Sequence, residues 1–227
     1  MTDAIRVLLV DDQELIRVGF RMVLEAESDI VVVGEAGDGR AAIAQSAALA
    51  PDLVLMDIRM PELDGIAATE TIVRDRPQTK VLVLTTFDLD EYAFGAIRAG
   101  ASGFLLKDAQ RHEMISAVRA VHRGDAALSP RITRMLLEHV TPQLSASSSP
   151  TPDAAESAAL DSLTERERDV FLAIGRGLTN AEIAHTLYVG ESTVKTHVGR
   201  VLAKLHARDR IHAVILAHRL GLVGNET

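Results

Sequence analysis

Five short aliphatic runs punctuate the first half of the chain: IRVLLV at 5–10, DIVVVGEA at 29–36, DLVLMD at 52–57, KVLVLTT at 80–86 and SGFLLK at 102–107. Each is too short for a helix and rich in β-branched or aliphatic residues, which predicts a buried strand. The intervening segments place apolar residues at helical spacing, as in Leu15, Ile16, Phe20, Val23 and Leu24, or Tyr92, Ala93, Ala96 and Ile97. Strand and helix alternating over five units predict parallel βαβ crossovers in a sheet covered on both faces. The pattern is that of a doubly wound α/β domain occupying 1–124.

The pattern then changes. A helix is predicted near 130–140 (RITRMLLEHV), followed by TPQLSASSSPTPDAAESAA, which has no apolar periodicity and a linker's Ser, Pro and Ala content. Residues 125–160 are therefore read as a linker with a flexible second half. From 161 to 227 there are no strand signals but several helix starts. Thr164 with Glu167 and Thr179 with Glu182 each fit a capping box, and Leu178 with Ile183 adds a hydrophobic staple to the second. This end reads as a small all-α bundle.

Composition narrows the chemistry. The 227 residues include no cysteine, which excludes disulfides, thiolate metal sites and cysteine nucleophiles and suits a reducing cytoplasm. Neither a signal peptide nor a membrane span is predicted. The net charge of −8 argues against a nucleic-acid partner, but its distribution reverses that for one end. Residues 161–227 carry 9 Lys/Arg against 8 Asp/Glu, and from Ser192 to Arg219 six basic residues face a single acid, Asp209. The two ends are built for different partners.

Four of the predicted strands end in polar groups: Asp11 and Asp12, Asp57, Thr85 with Thr86, and Lys107. In a doubly wound sheet such groups collect at the carboxyl edge where strand order reverses, and the order 2-1-3-4-5 makes the first and third strands neighbours. Crowded carboxylates raise one another's pKa unless a cation sits among them, and hard oxygen ligands favour Mg²⁺. A metal, a hydroxyl and an ammonium together complement a phosphoryl group. Asp57, central among them, is the candidate nucleophile for an aspartyl phosphate. Taken singly, each of these residues is equally a cap or a solvated turn residue; jointly they are not.

The set VDD, LVLMDIRMPELDG, VLVLTT and GASGFLLKD resembles the receiver domain of bacterial response regulators. The resemblance implies a flavodoxin-like five-stranded sheet of order 2-1-3-4-5, with Asp57 accepting a phosphoryl group from a histidine kinase. Mg²⁺ would be held by Asp12, Asp57 and the Arg59 backbone carbonyl, with Asp11 supporting through water. Thr85, Phe104 and Lys107 would form the phosphoryl-binding and switch set, and Arg59 and Phe87 would flank access. Phe104 lacks the hydroxyl of a tyrosine, and Asp108 follows Lys107 where many receivers have proline.

At the other end, LTNAEIAHTLYVGESTVKTHVGRVLAKL places a short helix at about 180–187, a turn at Tyr188 to Gly190 and a longer helix at about 191–205. Val194, Val198, Val201, Leu202 and Leu205 share its inward face. Ser192, Thr196, Gly199, Arg200 and Ala203 lie opposite, flanked by Lys195 and Lys204, a small and cationic surface suited to a DNA major groove. LTERERDVF, GLTNAEIA, STVKTHV and RIHAVILAHRLGL resemble the LuxR-type (GerE-type) helix-turn-helix, a four-helix domain. The whole chain is similar to NarL/FixJ response regulators. The resemblance makes Lys195 and Thr196 candidate base readers, with Thr179, Asn180, Ser192, Thr193, Arg200 and Lys204 as further candidate DNA contacts. The last helix, with Ile211, Val214 and Ile215, is read as partly a dimer surface in the DNA-bound form, with core packing inside the four-helix domain as the alternative. Gly199 stands where basic residues are common in the family. The five histidines of this end make no ligand set.

The reading that follows is a cytoplasmic, phosphorylation-switched transcription regulator. Its expected partners are a histidine kinase, a double-stranded DNA operator and a second copy of itself on activation, with RNA polymerase as a further candidate and no membrane. One rival is a DNA-binding regulator independent of phosphorylation. Another is an aspartyl phosphatase, disfavoured because Arg59 stands where such enzymes carry an acid two residues after the nucleophile.

Overall fold

The structure, a computed structural model, describes residues 4–85, 90–125 and 154–223. The chain divides into two compact units. The first holds strands β1 (Ile5–Val10), β2 (Ile30–Ala36), β3 (Leu53–Asp57), β4 (Lys80–Thr85) and β5 (Gly103–Leu106). Its helices are α1 (Glu14–Glu25), α2 (Gly39–Leu49), α3 (Gly65–Asp75), α4 (Asp90–Arg98) and α5 (Arg111–His122). All strand pairs are parallel and the order is β2-β1-β3-β4-β5, as expected from sequence. Central β3 is buried at every position, so its sequence is a continuous apolar run, whereas the edge strand β2 is only partly covered.

One face of the sheet, with Val7, Leu9, Leu53, Leu55, Leu82 and Leu84, packs on Leu24 of α1 and on Met114, Ile115, Val118 and Val121 of α5. Side chains alternate along each strand, so Leu8, Val10, Val54, Met56, Val81 and Val83 are buried on the opposite face, over which α2 and α3 pack. Leu15, grouped by spacing with the inward face of α1, is instead 83% exposed. It lies in the first turn, on the face of α1 opposite buried Leu24. Asp38 and Asp64 cap α2 and α3 by accepting from the Ala41 and Ala67 N–H groups, both at 2.8 Å, which starts each helix sharply after its loop.

The second unit contains α6 (Ala154–Asp161), α7 (Glu165–Gly175), α8 (Asn180–Leu187), α9 (Glu191–Lys204) and α10 (Arg210–Arg219). The four predicted helices are present, and both capping boxes form, at Thr164–Glu167 and Thr179–Glu182. The linker assignment needs correction at its end. Residues 154–160 were expected to be flexible, but they are helical, and Ala159 and Leu160 pack against the core of the second unit. Alanine is the best helix former, and Leu160 supplies an apolar anchor that the composition of the stretch as a whole conceals. The rest of the predicted linker, including the helix near 130–140, lies outside the described residues, as do Thr86 and Phe87.

The core of this unit gathers Val170, Phe171, Ile174, Ile183, Val194, Val198, Val201, Leu216 and Ala217. Gly175 makes the crossing of α7 and α10 possible, because a Cβ there would lie 2.7 Å from that of Ala217. Ile211, expected on a dimer surface, is only 3% exposed and belongs to the interior. Asp209 caps α10 at the His212 N–H and so sets the helix phase, turning Ile211, Ala213, Leu216 and Ala217 inward. Val214 also packs partly on the core, which leaves Ile215 half-buried beside it.

Candidate functional site

β1 and β3 are hydrogen-bonded neighbours, with Val10 opposite Met56, so the residues that follow them converge. Asp11, Asp12 and Asp57 each offer a carboxylate oxygen within 4.8 Å of the others. Asp11 and Asp57 are buried and Asp12 is exposed. Lys107, carried past the end of β5, reaches both buried acids: Nζ lies 2.5 Å from Asp11 Oδ2 and 3.1 Å from Asp57 Oδ2. Its position is fixed by its backbone N–H, which donates to the Thr85 carbonyl at 2.7 Å. Thr85, the last residue of β4, is buried, as is Phe104 on β5.

Three carboxylates against one ammonium leave an excess of negative charge. Burial pushes the Asp57 carboxyl up from its ordinary value, the Lys107 ammonium pulls it back, and the Asp11 charge raises it again. A cation would relieve this. The ligand oxygens of the three acids, all within 4.8 Å of one another, lie close enough for one ion to be shared among them. The donor set, all oxygen with an exposed edge at Asp12, fits a hard cation that keeps several waters. Among the described residues this trio is the one acidic or histidine cluster able to hold a metal.

The loop after β3 is shaped for close approach. The Gly65 N–H donates to the Ile58 carbonyl at 2.8 Å, and a Cβ on Gly65 would sit 1.9 Å from the Asp57 carbonyl oxygen. Only glycine lets α3 begin so near the end of β3. Arg59, Met60 and Pro61 border an open groove with Asp12 and Tyr92. Arg17 escaped the sequence reading. Its Nη1 donates to the Asp11 carbonyl at 2.7 Å and its Nε to Glu35 at 3.1 Å, bracing the acidic turn from α1. No local pattern marks it, because its partners lie on other elements.

In the second unit, Ser192, Thr193, Lys195, Thr196, Gly199 and Arg200 are all exposed on one side of α9, and Val194, Val198 and Val201 are buried on the other. The predicted face is therefore assembled. Lys195 meets Glu191 at 3.1 Å, an exposed i, i+4 pair that water and salt readily loosen. Thr179 and Asn180 are partly engaged within the domain. The Thr179 hydroxyl accepts the Glu182 N–H, and Asn180 Oδ1 accepts from Arg210 Nη1 at 2.9 Å. Lys204 does not stand free on this face: Nζ lies 2.6 Å from Glu167 Oε2. Arg210, not singled out from sequence, is buried and also donates to the Leu178 carbonyl, tying α10 to the start of α8.

Residues 7–119 match the response regulator receiver domain, and residues 161–217 match the bacterial regulatory proteins of the luxR family. The chain is 45% identical to the uncharacterized transcriptional regulatory protein YxjL of Bacillus subtilis over 97% of its own length and 98% of that protein's. It is 38% identical to the response regulator protein VraR of Staphylococcus aureus, covering 96% of this chain and 99% of VraR. Among solved structures, the response regulator ChrA of a heme-sensing two-component system aligns over 97% of this chain and 99% of its own, with 33% identity and a TM-score of 0.50. Receiver domains bind Mg²⁺ at an acidic pocket and partner with histidine kinases, and GerE-type domains bind DNA. With an acidic pocket at the carboxyl edge of the first unit and an exposed helix face on the second, the chain belongs to the NarL/LuxR family of two-component response regulators, DNA-binding regulators of transcription.

Proposed function

We propose that Asp57 is the phosphoryl acceptor of a kinase-driven transcriptional switch. The observation that carries this reading is the Lys107 ammonium held within contact of both Asp57 and Asp11 in an acidic, cation-seeking pocket. An Asp57 carboxylate oxygen attacks the phosphorus of a phosphohistidine on the kinase; the O–P bond forms, the P–N bond breaks and the imidazole leaves as the neutral ring after taking up a proton. Asp12, Asp57 and the Arg59 carbonyl would hold Mg²⁺, with Asp11 acting through water, and the ion would supply positive charge to offset that of a phosphoryl group. Lys107 exchanges a carboxylate for a phosphoryl oxygen, and the Thr85 hydroxyl donates to another. Phe104, lacking a hydroxyl, reports the change through packing alone. Attack of water on the aspartyl phosphate resets the pocket.

The phosphorylated receiver favours a second conformation and the dimer, so that two α9 helices meet paired half-sites of an operator. Lys195 and Thr196 read bases, and Ser192, Thr193, Thr179, Asn180 and Arg200 serve the backbone. On the DNA-bound dimer Ile215, with the exposed part of Val214, supplies the contact between copies. The protein works in the cytoplasm, with RNA polymerase as a downstream partner. Intact mass and solution size after incubation with acetyl phosphate and Mg²⁺ test the reading. A single phosphoryl adduct with dimer formation is expected in the wild type and neither in Asp57→Asn. An adduct on Asp57→Asn would sink the assignment, and dimerisation without any adduct would favour a regulator independent of phosphorylation.

A further inference from the structure

Lys204 ends the proposed recognition helix and carries a charge suited to a DNA phosphate, yet its ammonium is already engaged. Nζ donates to Glu167 Oε2 at 2.6 Å and to the Ser162 carbonyl at 2.9 Å. The Glu167 side chain is 4% exposed, and the same oxygen accepts the Thr164 N–H at 2.9 Å. One carboxylate thus joins the N-terminal cap of α7 to the last turn of α9. Lys204 and the Thr164 N–H hold the Glu167 carboxyl down to about 2, so it stays ionised at any working pH.

If Lys204, itself 35% exposed, swung out to a phosphate, it would leave a carboxylate that is 4% exposed without its cation, which is unfavourable for a buried charge. Lys195 faces no such penalty, because its partner Glu191 is about half exposed and water replaces the lost contact. Along its length α9 is held by the apolar contacts of Val194, Val198, Val201 and, in part, Leu202, and such contacts are non-directional. The polar contact at its end is directional.

We propose that Glu167 and Lys204 form a positioning clamp that sets the angle of the recognition helix against α7, and that Lys204 makes no phosphate contact. This inference rests on the DNA-binding reading above. It assigns Glu167 a part in DNA recognition although the residue lies away from the exposed face of α9.

The test uses the full chain, treated with acetyl phosphate and Mg²⁺, and the duplex that the wild type enriches from a random pool. Affinity is measured by fluorescence anisotropy between 50 and 200 mM KCl, about the range over which phosphate contacts reveal themselves. Glu167→Gln keeps the capping box, which accepts Gln, but removes the charge. Glu167→Gln and Lys204→Met should each weaken binding several-fold and narrow the preference for the enriched over a scrambled duplex, with the salt slope unchanged. The double variant should be no worse than either, and Lys204→Arg should restore most of the preference. A slope reduced by about 0.9 in Lys204→Met would identify a lost phosphate contact and overturn the proposal. So would tighter binding with a steeper slope in Glu167→Gln. A lowered melting temperature with unchanged affinity and preference would show a merely structural pair, which also overturns it. Failure of the wild type to enrich any duplex would defeat the DNA-binding reading and this recognition role with it. The clamp itself is then judged by a thermal double-mutant cycle without DNA, in which no coupling between positions 167 and 204 overturns it.

Discussion

In the receiver, Lys107 stands between two buried carboxylates, Asp11 and Asp57, whereas in the helix-turn-helix unit Lys204 faces one, Glu167. The consequences are opposite. Burial and the neighbouring Asp11 charge leave the Asp57 carboxyl raised despite Lys107, while Glu167, with an ammonium and a backbone N–H to itself, is lowered to about 2. The first arrangement is incomplete and is relieved by a ligand that brings positive charge. The second matches one carboxylate to one ammonium and one backbone N–H.

The comparison is broken most severely at Lys107. Lys107→Met leaves Asp11 and Asp57 buried with no cation, and loss of one partner from such a group costs about 3–5 kcal/mol. Urea denaturation without metal at pH 7 should show that loss, and added Mg²⁺ should recover part of it. An equal loss with saturating Mg²⁺ would show that the lysine is needed for packing and not for charge.

Next in size is Ile211→Ala. A buried isoleucine truncated to alanine costs about 2–5 kcal/mol, so the variant should melt earlier at any protein concentration. Ile215→Ala should leave the melt nearly unchanged. A destabilisation of Ile211→Ala that vanished on dilution would restore Ile211 to the dimer surface.

Asp57→Asn sharpens the contrast in the other direction. Removing a buried charge from a functional site should stabilise the metal-free chain by about 0.5–2 kcal/mol at pH 7. Acid separates the two units further. A raised carboxyl such as Asp57 contributes stability that is full below its ordinary value near 3.8 and is lost as pH rises through its higher folded value. The lowered Glu167 contributes above its ordinary value near 4.5 and loses that contribution as pH falls toward about 2. Chemical-shift titrations of the two side chains should therefore move in opposite senses from the ordinary values; shifts of the same sign would dissolve the contrast.

The smallest effect belongs to Gly199. It is exposed in mid-helix and nothing lies within 4 Å of a Cβ built on it. Gly199→Ala should stabilise the second unit by about 0.8–1 kcal/mol in a thermal melt. No gain would mean that the helix is already distorted at that turn.

Much of this molecule is legible in its sequence alone. The five apolar runs announce five strands because a strand buried on both faces has no polar positions to interrupt it, and the strand-end residues announce the pocket because each follows its run immediately. Thr164 with Glu167 and Thr179 with Glu182 announce helix starts because a capping box is a contact across three residues. Leu15 misled for a related reason: spacing alone does not say which side of a wide apolar stripe the sheet will cover. The helix over 154–161 was hidden by its neighbours, since Ser and Pro upstream make the segment look uniformly polar.

Local sequence, then, determined the elements, the acidic edge and the outward face of α9, because each depends on residues within one turn or one strand of each other. Tertiary structure alone decided the pairings that cross the fold. Lys107 reaches Asp11 across 96 positions, Arg17 braces the Asp11 carbonyl while holding Glu35, and Glu167 engages Lys204 of α9 from 37 positions away. An ion pair depends on distance in space, and nothing in the composition of either partner's neighbourhood encodes the identity of the other. The same holds for Ile211, whose inward direction follows from the phase set by the Asp209 cap and from the crossing of α7 and α10 at Gly175.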